Sequence, residues 1–184
     1  EIPMLTTGAF LFDEEREEEA LAESKTYIDL ADRIGTPYIR VLGDRDGAPG
    51  PKRNLEFVKL QYQKVCDYAR DKGITPLIET NGVLADSSVM ARFIREADRP
   101  NAGVLWDIHH PYRYFNESPE MTLANLDGTI KYAHIKDSVM KEGQVAYRML
   151  GYGDVPVLDC LKQLHRNGYN GYVSLEWVKR WCPD

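Results

Sequence analysis

The feature that most constrains the fold of this chain is the alternation of short apolar runs with longer amphipathic stretches. The runs are MLTTGAFLF (4–12), YIRVLG (38–43), ITPLIET (74–80), GVLWDIH (103–109), YAHIK (132–136) and YVSLEW (172–177). They are nearly continuously apolar, as strands covered on both faces tend to be. Between them, residues 14–34, 53–72, 86–98, 119–127 and 155–167 read as helices. The second carries Leu55, Val58, Tyr62, Val65, Cys66 and Ala69 at helical spacing with charges between them. The acidic run DEEREEE (13–19) reads as a solvated helix start, where carboxylates suit the positive end of the helix dipole. Gly35, Gly73 and Gly168 each fall between a helix and a strand, where a left-handed cap is needed. Strands alternating with helices over short loops imply right-handed crossovers and a parallel sheet in one domain, 1–184. Six such units suit a doubly wound sheet, whereas a closed eight-stranded barrel needs about 250 residues. The polar residues decide between them.

With 184 residues the chain is long enough for one well-formed core. Its net charge of −6 argues against a nucleic-acid or membrane-surface partner. No apolar run approaches the ~18 residues of a membrane span, and no signal peptide is visible. Cys66, Cys160 and Cys182 are odd in number and lack CxxC spacing, so reduced thiols and a cytoplasmic location are expected.

Four consecutive strands end in groups that can hold a metal: Glu79, Asp107, His134 and Glu176. An open sheet would spread them along a line, one every ~4.8 Å. A barrel gathers them at one face, where such enzymes keep their active sites. Three carboxylates and one imidazole form a hard donor set suited to Mn²⁺, Mg²⁺ or Co²⁺, and Zn²⁺ is also compatible. Each residue taken alone has a plainer reading: a cap at Glu79, an Asx turn at Asp107, a core histidine at His134, a structural pair of Glu176 with Lys136. His109 alternates with His110 and is expected to point elsewhere in a structural role; His165 is expected at the surface.

The segments IET, WDIHH, HIKD and SLEW, in this order, resemble the sugar phosphate isomerase/epimerase superfamily with the xylose isomerase-like TIM barrel. GYGDVPVLDCLKQLHRNGYNGYVSLEW resembles its closing segment, and HIKD resembles inosose dehydratase-like members. The resemblance implies a partial (β/α)8 barrel of about six parallel strands that starts at the third strand, its N-terminal quarter missing. It also implies one divalent metal on Glu79, Asp107, His134 and Glu176, and substrate contact by His110, which stands three residues after Asp107. Departures are visible. Ketose 3-epimerases carry Glu where Ala85 stands and Arg where Met140 stands, and the additional His and Asp ligands of apurinic endonucleases are lacking.

The expected function is metal-dependent isomerisation or epimerisation of a sugar, sugar phosphate or cyclitol. A proton moves next to a carbonyl through a metal-stabilised enediolate, Glu79 and Glu176 serve as the acid–base pair, and His110 and Lys136 steer substrate oxygens. The alternatives are a dehydratase acting on an inosose-type ketone and a metal- or sugar-binding barrel without turnover. The expected partners are a small sugar or polyol and, because two strand edges stay open, a second copy of the chain.

Overall fold

The structure, a computed structural model, describes residues 1–177. The order along the chain is β1 (Met4–Phe10), α1 (Glu17–Ile34), β2 (Tyr38–Leu42), α2 (Leu55–Arg70), β3 (Thr75–Glu79), α3 (Ser87–Ala97) and β4 (Gly103–Asp107). It continues with α4 (His109–Phe115), α5 (Pro119–Leu126), β5 (Ile130–Ile135), β6 (Asp137–Lys141), β7 (Gln144–Arg148), α6 (Val157–Arg166) and β8 (Tyr172–Leu175). Six strands form one sheet in the order β1-β2-β3-β4-β5-β8, every pair parallel. Strands β6 and β7 form a separate antiparallel hairpin. All six expected strands and five expected helices are present. The expected partial barrel of parallel strands is therefore what the chain builds.

The alternation of side chains explains why the sheet is buried on both faces. Ile39, Val41, Ile78 and Val104 point outward and pack with Ile28 and Ala31 of α1, Val58, Tyr62 and Val65 of α2, and Met90 and Phe93 of α3. Trp106 and Ala133 do the same against Cys160 and Leu164 of α6. A fully buried aliphatic side chain of this kind stabilises by ~1.5–3 kcal/mol. The inward residues form layers, as in a barrel interior. One layer holds Met4, Tyr38, Leu77, Leu105 and Tyr132. Two residues further along the same strands, on the same face, stand Thr6, Arg40, Glu79, Asp107 and His134. The apolar layer thus forms the floor on which the polar layer sits.

The helix ends follow local rules. Asn54 and Asp86 cap α2 and α3 by accepting from backbone N–H groups of the first turn. Gly35, at the end of α1, takes φ 72° and ψ 32°, as expected of a left-handed cap. Two features differ from expectation. His109 and His110 start a helix, α4, rather than extending the strand, so their side chains do not alternate. The hairpin β6–β7 follows Lys136, in a stretch to which the sequence assigned neither strand nor helix. Cys66 and Cys160 are buried free thiols, and Cys182 lies outside the described residues. His165 is exposed. Among the described residues no helix is long and apolar enough to cross a membrane.

Candidate metal centre

Strand register brings the four expected ligands together. Asp107 lies opposite His134, Glu79 opposite Leu105, and His134 opposite Ser174, two residues before Glu176. Offsets of zero or two keep all four side chains on the inner face. One donor atom from each of Glu79, Asp107, His134 and Glu176 lies within 4.8 Å of the others. His134 Nδ1 stands 3.7 Å from Glu79 Oε1 and 3.9 Å from Glu176 Oε1. Glu79, Asp107 and His134 are buried, and Glu176 is half-buried.

The strand ends are tied to one another. Thr80 Oγ1 donates to the Asp107 carbonyl at 3.2 Å and accepts from the Asp107 N–H at 2.9 Å. Asp107 Oδ1 accepts from the His109 N–H at 3.0 Å. That leaves Oδ2 as the oxygen turned to the site. Oδ2 is ion-paired with Lys136 Nζ at 2.5 Å, and buried His134 Nδ1 has no hydrogen-bond partner among the described residues. An unpartnered buried imidazole nitrogen facing three carboxylates, with all four donor atoms within 4.8 Å of one another, fits a divalent cation.

Arg40, which sequence reasoning passed over, reaches Glu79 from β2. Its Nη1 donates to Glu79 Oε2 at 3.0 Å and its Nη2 to the Thr7 carbonyl at 2.9 Å. Lys136 is nearly inaccessible, and its Nζ also donates to Glu176 Oε2 at 2.6 Å. These cations set the charge states. Burial alone would raise the Glu79 pKa, but His134 and Arg40 outweigh it and hold the carboxyl at about 2. Burial would likewise raise Asp107, yet the charges of His110 and Lys136 keep it well below the usual carboxylate range. Burial depresses the His110 pKa, so at neutral pH the lasting cation beside Asp107 is Lys136. Burial would lower His134, but Glu79, Asp107 and Glu176 raise its pKa above 6.5.

His110 Nδ1 lies 2.8 Å from the Thr80 carbonyl, which can only accept. Nδ1 therefore carries the proton in the neutral ring, and Nε2 is left as an acceptor. Nε2 is 3.5 Å from Asp107 Oδ2. Asp107, His109 and His110 form a second group of closely spaced donor atoms. The His109 ring nonetheless has structural partners: Nε2 meets Ser138 Oγ at 2.9 Å and the ring stacks on Tyr147. Burial pushes the His109 pKa down to about 3.

The site opens into a cavity of about 830 Å³. Glu79, His110, His134, Lys136 and Glu176 line it, together with Phe10 and Arg45. The loop after β2 closes one wall: Gly47 accepts from the Gly82 N–H with its carbonyl and packs against the His110 ring, where a Cβ would fall 2.4 Å from Nε2.

The sequence profile of the xylose isomerase-like TIM barrel family matches residues 2–183. The chain belongs to this family. A fructoselysine 3-epimerase of Shigella flexneri is 22% identical over 182 residues, which are 95% of this chain and 64% of that protein. The chain therefore spans just under two thirds of the length of that curated relative. Among solved structures, a xylose isomerase domain protein from Planctomyces limnophilus superposes with a TM-score of 0.82 at 20% identity, over 100% of this chain and 73% of the other. A xylose isomerase-like TIM barrel protein from Mycobacterium smegmatis, in complex with magnesium, superposes at 0.78 with 19% identity, over 95% and 66%. At these identities the structural likeness establishes the family's barrel architecture.

Proposed function

We propose that this chain carries the metal site of an isomerase or epimerase that moves a proton next to a carbonyl in a sugar, sugar phosphate or cyclitol. The observation that carries the reading is the convergence of donor atoms from Glu79, Asp107, His134 and Glu176 at the ends of four neighbouring strands. These four residues would hold Mn²⁺, Mg²⁺ or Co²⁺; the related M. smegmatis protein was solved with magnesium. A divalent ion there would supply Lewis-acid polarisation of a carbonyl.

The chain's own residues would do the rest. Glu79, on β3, is kept as a carboxylate and can accept a proton; Glu176, beyond β8, sits on the other side of β4 and β5 and can return one. His110 Nε2, its tautomer fixed by Thr80, lies in the cavity wall and can accept a substrate hydroxyl. The floor of Leu77, Leu105 and Tyr132 keeps water from reaching the site from below.

The test is incubation with Mn²⁺ and a panel of ketohexoses, ketose phosphates and inososes in deuterium oxide. Deuterium at the carbon beside the carbonyl supports the proposal. Loss of water from an inosose-type ketone assigns the dehydratase alternative instead. Metal and sugar binding without either reaction contradicts the proposal and leaves a binding barrel.

A further inference from the structure

Lys136 stands where a cation is wanted. Its side chain is 3% exposed, and its Nζ is 2.5 Å from Asp107 Oδ2 and 2.6 Å from Glu176 Oε2. Both carboxylates belong to the candidate metal centre. We propose that Lys136 is a built-in competitor of the metal, its ammonium holding the place of the divalent ion between Asp107 and Glu176 until that ion displaces it. This inference rests on the metal reading given above.

The oxygen inventory carries the argument. Glu79 gives only its outer oxygen, Oε2, to Arg40, and its Oε1 remains beside His134 Nδ1. Arg40 therefore clamps a ligand from outside. Asp107 turns Oδ1 to the His109 N–H, away from the centre. The oxygen it turns toward the other three donor residues, Oδ2, is the oxygen Lys136 contacts. A dication and an ammonium at one buried oxygen repel strongly, since little water screens them. The three carboxylates also explain why the ammonium is there. Arg40 offsets Glu79, and without Lys136 the charges of Asp107 and Glu176 would face each other unbalanced. The same lysine thus stabilises the metal-free protein and opposes the metal. On displacement its Nζ remains in the cavity wall, close to bound substrate.

Titration calorimetry with Mn²⁺ on the full chain, paired with thermal unfolding, tests this. Lys136→Met is expected to bind Mn²⁺ at least about tenfold more tightly than the unsubstituted protein. It is also expected to unfold at lower temperature without metal and to gain more from added Mn²⁺. Lys136→Gln should behave in the same direction. Weaker binding in both variants would show that Lys136 positions the ligands, and equal binding that it serves only substrate; either result overturns the inference. If folded protein of all three kinds binds no Mn²⁺, the metal reading fails and the inference with it. Should neither variant fold, the lysine Nζ resonances of the unsubstituted protein decide. A slowly exchanging ammonium signal that shifts or loses protection on Mg²⁺ addition supports displacement, and an unchanged signal while Mg²⁺ binds overturns it.

Discussion

Arg40 Nη1 donates to Glu79 Oε2 across 3.0 Å, from the strand next to the one that carries the glutamate. The pair is nearly closed to solvent, with side-chain exposures of 16% and 3%. Breaking a buried pair from one side leaves an uncompensated charge. Arg40→Met is therefore expected to destabilise the metal-free protein by about 3 kcal/mol. Denaturant unfolding in a chelator measures it, and a change below ~1 kcal/mol would place Glu79 in better contact with water than its burial implies.

Metal-free stability should peak near neutral pH. Glu79 has a folded pKa of about 2 against 4.5. Its contribution is present above 4.5 and is lost as pH falls toward 2. His134 is shifted upward from 6.5. Its contribution is complete below 6.5 and is lost as pH rises through the higher folded value. His109, held at about 3, and His110, also lowered, act the other way: their cost is relieved as pH rises through 6.5, which moves the maximum to about pH 6.5 or just above. A chelated His134→Gln sample that loses as much unfolding free energy between pH 7 and 9 as the unsubstituted protein would contradict the raised His134 pKa.

The same proton on His134 should compete with metal. A ligand histidine must be neutral. Mn²⁺ binding near pH 6.5 is therefore expected to release more than about half a proton per ion, and affinity should fall as pH drops through the raised His134 value. Calorimetry in two buffers of different ionisation enthalpy reads the proton count. Zero release at that pH would count against His134 as a ligand.

Asp137 should control the wall that carries Tyr147. Its carboxylate accepts from the N–H groups of Ser138, Gly151, Gly153 and Val155 at 2.8–3.2 Å. A Cβ on Gly153 would fall 1.9 Å from Asp137 Oδ1. Asp137→Asn replaces one accepting oxygen with a donor, and hydrogen bonds to a charged group are each worth ~1.5–3 kcal/mol. Amide exchange at Gly151, Gly153 and Val155 is expected to accelerate about tenfold or more. Unchanged protection would mean that other contacts hold the segment.

Much of this was legible in the sequence, for reasons that particular residues make plain. The six runs were readable because strands buried on both faces have little room for polar residues, and the candidate ligands stood out as the polar groups that end them. Arg40 was hidden inside the apolar run YIRVLG. An arginine in a strand otherwise read as buried implies a carboxylate partner, and that was the unused signal. The helix α4 was obscured by Pro111, yet proline fits the first turn, where the N–H has no helical partner. The β6–β7 hairpin was missed because Glu142–Gly143 is an uncommon turn pair. Both take positive φ, 52° and 78°, as a two-residue hairpin turn requires. The roles of Lys136 could not be read from HIKD alone, because its contacts come from residues 29 and 40 positions away.

Assembly follows from the sheet order. Among the described residues β1 and β8 each pair on one side only. Tyr172, Val173 and Leu175 on β8 are more than a third exposed. Exposed apolar edges invite pairing. The chain of 184 residues is expected to self-associate at micromolar concentration, with light scattering as the measure. A monodisperse monomer would show that its edges are protected.

The most direct test of the central claim is electron paramagnetic resonance of Mn²⁺ added to the unsubstituted protein, read together with His134→Gln. The account predicts one bound Mn²⁺ per chain, coupled to the nitrogen of a single histidine, and loss of that coupling in the variant. No stoichiometric binding, or a nitrogen coupling that survives in His134→Gln, would contradict it.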